Sequence, residues 1–165
     1  MNNIMLDLET MGNGSNAAII AIGAVQFDET VKAKFYCTVD LSDCVKNGLE
    51  IDPDTVMWWM RQSDDARKQF ETPDYDLVAA LDAFREWAGD DPIIWGNGAD
   101  FDNAILANAY KKVGQVPPWK FWNNRCYRTV KNLNRDIKME RIGTYHKAVD
   151  DAESQAEHLL RILSR

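Results

Sequence analysis

Apolar and polar positions alternate through the first quarter of the chain and then shift to a helical period. Residues 3–9, 19–28 and 32–40 are β-branched or alternating, and "GNGSN" and "DET" between them read as turns. Together they predict a three-strand antiparallel meander. "DPDTVMWWMRQ" opens with Asp52 as an N-cap and Pro53 at the first helical position, and "DYDLVAALDAFREWAG" spaces its apolar residues helically before Gly89. Both segments predict helices. "PIIWGN" is a short apolar run of the kind a buried strand shows, and "DFDNAILANAYKKVG" follows as a helix ending in Gly114. A strand followed by a helix predicts a parallel addition to the sheet. "QVPPWKFWNN" reads as a Pro-containing connection and "AVDDAESQAEHLLRILSR" as a long terminal helix. No repeat, low-complexity tract or linker divides the 165 residues. The expectation is therefore one α/β domain, residues 1–165, with a mixed sheet of antiparallel meander plus parallel strands flanked by helices.

Composition adds little until charge is mapped. The hydrophobic fraction of 45% suffices for one core, and the three cysteines, Cys37, Cys44 and Cys126, are odd in number and lack Cys-x-x-Cys spacing. They are expected to be reduced packing residues rather than a disulfide framework or zinc site. The chain opens directly into strand-like sequence, and no apolar run approaches the roughly 18 residues of a membrane span, so a cytoplasmic protein without membrane contact is expected. The net charge of −7 at first argues against a polyanionic partner. Residues 103–147, however, carry ten Lys or Arg against two acids, Asp136 and Glu140. Within that stretch "WKFWNNRCYR" interleaves Trp119, Phe121, Trp122 and Tyr127 with Lys120, Arg125 and Arg128, a mixture that suits stacked bases and a phosphate backbone as well as ordinary packing.

The candidate chemistry begins in "NIMLDLETMGN". Period-two alternation puts Ile4, Leu6 and Leu8 on one face of the strand and Met5, Asp7 and Glu9 on the other. Two adjacent carboxylates on a central strand are costly unless a cation or proton is shared, and dense oxygen donors favour Mg²⁺ or Mn²⁺; on an edge strand the same pair would merely face water. Further acids lie at the end of "WGNGADFDNAIL", where Asp100 and Asp102 open a helix, although Asp100 could serve only as an N-cap. On the last helix the apolar stripe of Ala148, Ala152, Ala156, Leu159 and Leu163 leaves Asp151 about 100° from its centre and Asp150 about 160° away. Asp151 is thus expected at the border of the interior and Asp150 in solvent. His146 precedes this helix after a Gly143-containing loop, and imidazoles titrate near neutrality. His158 is expected on the solvated side of the same helix.

Taken together, "LDLET", "FDNAIL" and "HKAVDDA" resemble the three motifs of the DEDDh exonucleases, a family that includes polymerase proofreading subunits and RNase T. The resemblance spans nearly the whole chain, in motif order, separation and the five-residue step from His146 to Asp151. It implies an RNase H-like fold, selects Asp102 after Phe101, and excludes the tyrosine-type variant because Tyr145 lies six residues before Asp151. One departure stands out: the family's Asn four residues before the second-motif Asp is here Gly98, with Asn97 one place earlier. "TVMWWMRQ" and "WGNG" bring the chain closest to a small bacterial and phage branch similar to RNase T-like 3′ exoribonucleases.

What the resemblance implies is a 3′–5′ exonuclease of DNA, RNA or both that releases nucleoside 5′-monophosphates. Asp7, Glu9, Asp102 and Asp151 would hold two Mg²⁺ or Mn²⁺ ions, and His146 would act as general base on a mobile loop. Thr10 and Met11 would line the terminal nucleotide's pocket, with further substrate contacts expected at Asn97, Phe101 and Trp59. Of the adjacent Trp58 and Trp59, about 100° apart on a helix, one at most should pack inward. Because some members are dimers, a homodimer is compatible with the resemblance. A two-metal endonuclease, a binding module that has lost catalysis, and an aspartyl-phosphate phosphatase with Asp7 as nucleophile are the competing readings; the last is weakened by Glu9 where that motif has Asp.

Overall fold

The computed structural model describes residues 2–98 and 100–164. Its sheet has the order β3-β2-β1-β4-β5, with β1 (Asn3–Thr10), β2 (Ile19–Phe27) and β3 (Val31–Thr38) forming the antiparallel meander. β4 (Ile93–Gly96) joins β1 in parallel, and β5 (Asn124–Cys126) extends the sheet in parallel beyond β4. The strand with two carboxylates is therefore central. Its pairing with β4 runs only from Asn3 to Met5, so the carboxyl-terminal half of β1 parts from its parallel neighbour and leaves a crevice.

The alternation of β1 sorts its side chains between two cores. Ile4, Leu6 and Leu8 pack with Leu81 and Phe84 of α4 (Leu77–Ala88) and Ile105 and Leu106 of α5 (Asp102–Lys112). Met5 packs on the opposite face with Val25, Phe27 and the stripe of α7 (Ala148–Leu163), namely Ala152, Ala156 and Leu159. Asp7 and Glu9, which alternate with Met5, thus lie on the α7 side. That helix sits unusually close to the sheet, because Gly23, directly opposite Asp7, lacks a side chain: a Cβ there would lie 2.2 Å from the carbonyl carbon of Ala148 and 2.3 Å from the Val149 nitrogen. The first turn of α7 is seated on bare strand backbone.

Connections supply the remaining elements. Asp52 accepts the Asp54 N–H at 2.8 Å and Pro53 begins α2 (Pro53–Met60), as the capping pattern predicts. Three short helices fall outside the helical periodicity: α1 (Leu41–Lys46), α3 (Asp64–Lys68) and α6 (Tyr127–Leu133). With five to seven residues each they span barely two turns, too few for an amphipathic repeat to emerge, although Asp40 and Ser63 cap the first two. β5, of three residues at the end of the Pro-containing connection, is likewise too short to show a period. Among the described residues, no helix is long and apolar enough to cross a membrane.

Two expectations about α7 are corrected. His158 is not solvated: it is 1% exposed, its Nε2–H donates to the Ile137 carbonyl at 2.9 Å, and the Tyr127 hydroxyl donates to its Nδ1 at 2.6 Å. α6 and the loop after it cover this flank, which a wheel drawn on α7 alone leaves open. Asp150 does not extend into solvent either, because its carboxylate turns back to accept the Thr144 N–H at 2.8 Å.

Candidate active site

The crevice beside β1 collects acids from three elements. Asp7 and Glu9 come from β1, Asp102 is the first residue of α5, and Asp151 lies in the first turn of α7. Asp102 spans the gap left where β1 and β4 separate: its Oδ1 accepts the Leu8 N–H at 3.0 Å and its Oδ2 the Asn97 N–H at 3.2 Å. A strand N–H with no ladder partner is thereby satisfied while the carboxylate is fixed in place. Gly96 permits this docking of α5, since a Cβ there would lie 2.6 Å from the Asn103 Oδ1. Asp7 is held from the opposite side by Gln155, whose Nε2 donates to Oδ1 at 2.9 Å.

His146 closes the cluster. One ligand atom each from Glu9, His146 and Asp151 fall within 4.8 Å of one another. The histidine adopts φ +60°, a left-handed backbone rare outside glycine and asparagine, and its carbonyl accepts from the Gln69 Nε2 at 2.8 Å. Its ring meets Trp58 edge to face with centroids 4.9 Å apart. Loop backbone and ring are thus both tied to the α2–α3 region, which aims the imidazole at the acids.

Burial raises all four acids. Burial, followed by the charges of Asp102, Glu9 and Asp151, holds the Asp7 carboxyl well above the usual carboxylate range. Burial, reinforced by Asp151 and Asp102, pushes Glu9 up to about 8; burial raises Asp102 to about 6 against the N–H groups of Leu8, Asn97 and Asp102 itself and the charge of Arg128, which lower it. Asp151 is raised by burial although Arg141 counters it. Four carboxylates that repel one another, with Arg141 paired to Asp151 and the charge of Arg128 acting on Asp102, fit a divalent cation such as Mg²⁺ or Mn²⁺.

A cavity of about 380 Å³ adjoins the acids and includes Glu9, Thr10, Trp58, Trp59 and Phe101 in its lining. Trp59 is buried and donates its Nε1–H to the Thr10 carbonyl at 3.0 Å, whereas Trp58 is 39% exposed, so one of the adjacent tryptophans packs inward. Met11 is not part of this lining and packs against the core, its backbone held by the Met11 N–H to the Ala18 carbonyl and the Asp52 N–H to the Met11 carbonyl. Asn97 lies beside Asp102 through its backbone, and its buried Oδ1 has no hydrogen-bond partner. The basic aromatic segment divides: Trp119 and Tyr127 are buried, while Phe121 is 79% and Trp122 60% exposed. Residues that sequence reasoning did not single out for the site are Gln155, Arg141 and Gly23. Only Gln155 carries a signal, since it stands one helical turn after Asp151 on the same face.

The mixed sheet flanked by helices has counterparts of the same fold among solved nucleases. Solved structures agree on the fold: the nuclease domain of 3′hExo, a DEDDh family member bound to rAMP, has a TM-score of 0.67 at 14% identity, covering 99% of this chain and 92% of that one. The S. pombe Pop2p structure in its Mg²⁺- and Mn²⁺-bound form has a TM-score of 0.65 at 16% identity, covering 99% and 83%. An exodeoxyribonuclease of Enterobacteria phage T4 is 26% identical, the alignment covering 78% of this chain and 70% of that protein. Residues 2–163 match the 3′-5′ exoribonuclease Rv2179c-like domain, and the chain belongs to this family. It is a 3′–5′ exonuclease, and its substrate is nucleic acid.

Proposed function

We propose that residues 1–165 act as one exonuclease domain that removes nucleoside 5′-monophosphates stepwise from the 3′ ends of RNA, DNA or both, with two Mg²⁺ or Mn²⁺ ions. The observation that carries this reading is that Glu9, His146 and Asp151 bring ligand atoms within 4.8 Å of one another, with Asp7 raised by the charges of Asp102, Glu9 and Asp151, beside the 380 Å³ cavity that Glu9 helps to line. Asp7, Glu9, Asp102 and Asp151 would hold the ions, which when bound lower the pKa of a water and stabilise charge on the leaving 3′ oxygen. His146 would accept the proton of that water, its ring held in place by Trp58. The cavity has the size of small-ligand sites, and Trp58, Phe101 and Thr10 in its lining would meet a terminal nucleotide. Support for both sugar types is comparative: the family is described by exoribonuclease activity, and the T4 relative is an exodeoxyribonuclease.

The test is digestion of 5′-end-labelled single-stranded and duplex RNA and DNA with Mg²⁺, Mn²⁺ or EDTA. The expected products are ladders that shorten from the 3′ end and require metal. Internal cuts would point to an endonuclease, and a phosphoenzyme trapped at Asp7 to a phosphatase. His146→Ala should lower turnover by about 10²–10⁴-fold while Mn²⁺ binding survives; unchanged turnover would remove the histidine from the mechanism.

A further inference from the structure

Arg141 is the one cation that, among the described residues, forms an ion pair with the four acids, through a contact between its Nη2 and the Asp151 Oδ1. Both side chains are largely shielded, 22% and 14% exposed, and the Arg141 Nε is buried with no hydrogen-bond partner. A guanidinium that leaves a donor unsatisfied is placed there by charge rather than by complementary hydrogen bonding. The same guanidinium carbon lies 3.8 Å from the centre of the Tyr145 ring, and Nη2 reaches the Thr144 carbonyl at 3.4 Å.

The backbone around Arg141 cannot readily move. The Ile142 N–H is bonded to the Ser154 Oγ at 2.9 Å and the Thr144 N–H to Asp150 at 2.8 Å. Gly143, at φ +68°, lies so close over Asp150 that a Cβ there would fall 2.3 Å from its carboxylate. A rotation of the Arg141 side chain, with these backbone bonds kept, suffices to release Asp151. Tyr145, 67% exposed, already offers that side chain a second seat at the surface.

Building on the metal-dependent reading above, we propose that Arg141 is a built-in counter-ion that stands in for the divalent cation in the metal-free protein and competes with it for Asp151. Arg141 is a positioning residue: by neutralising the cluster it lets the acids stay gathered, and it must yield Asp151 before the site can fill. An arginine placed to assist the site would raise metal affinity; one placed as counter-ion lowers it.

The test is titration of Mn²⁺ into metal-stripped full-length protein by calorimetry, with melting curves recorded in EDTA and in saturating Mn²⁺. Arg141→Gln should bind Mn²⁺ about three- to tenfold more tightly than wild type. It should also melt earlier in EDTA yet gain more from Mn²⁺, whereas loss of a merely structural contact would lower both melting curves alike. Arg141→Lys, which keeps the charge but not the fork, should fall between, and serves alone if the glutamine variant does not fold. Unchanged or weaker Mn²⁺ binding in the variants would overturn the proposal. Asp7→Asn separates this outcome from failure of the function itself: if wild type binds Mn²⁺ no better than Asp7→Asn does, the metal site is refuted, not only the role of Arg141.

Discussion

Among the described residues, the one side chain that hydrogen-bonds Asp7 is the amide of Gln155, which reaches it from one turn beyond Asp151. The Gln155 Oε1 is buried without a partner, so the amide is committed to this one bond. A ligand's orientation depends on such a partner, and its removal typically lowers metal affinity or activity by about 10–100-fold. Gln155→Leu keeps the volume and is expected to reduce turnover by about tenfold or more with the melting temperature little changed; steady-state kinetics beside a thermal melt check it, and wild-type turnover would show that Asp7 needs no support. Asp7 and Glu9 themselves were legible as neighbours, because a strand turns successive side chains to opposite faces. Gln155 signalled only that it shares a helix face with Asp151, since its role toward Asp7 exists only once α7 lies over β1.

Between elements, the decisive contact is that of α7 on β2. Strand and helix normally meet through side chains, but here the first turn of α7 rests on the backbone at Gly23, across the ladder from Asp7. This closeness brings Asp151 to the acids of β1. Gly23→Ala would force Cβ into the peptide between Ala148 and Val149, and overpacking of this kind costs about 1–3 kcal/mol. The expected result is a lower melting temperature with a disproportionate loss of turnover, because the helix that retreats carries Asp151 and adjoins His146. Equal activity in the variant would mean that the helix start can shift without consequence. The long helices and the meander were legible from periodicity and caps. The short α1, α3 and α6 were not, since their positions follow from the segments they bridge rather than from a repeat of their own. His158 belongs to the same class: whether a helix flank meets water depends on what other chain segments cover it.

Across the whole molecule, the raised carboxylates link stability to pH and to metal. Glu9 at about 8 and Asp102 at about 6, with Asp7 and Asp151 also raised, hold protons in the folded chain that the unfolded chain releases near pH 4. The folded state therefore binds more protons than the unfolded state between about pH 4 and about 8, and stability falls as pH rises through that window. In EDTA, the melting temperature should drop from pH 5 to pH 8, and Glu9→Gln should flatten the slope. Added Mn²⁺ should restore stability most at the alkaline end, since the metal binds deprotonated ligands. A metal-free melting curve that is flat or rises over this range would contradict the assignment of these acids.

By itself the amino-acid order determined the α/β class, the pairing of two acids on one face of β1, the cap-bounded helices and the step from His146 to Asp151, while the central place of β1 came from the sheet order. All of these are local, set by side-chain periodicity and by residues a few positions apart. Tertiary structure alone decided that Asp102 ties α5 to the unpaired edge of β1, that Gly23 lets α7 descend to the sheet, and that Arg141 pairs with Asp151. Each joins atoms from distant parts of the chain within a few ångströms, and such proximity is set by packing rather than by any local preference.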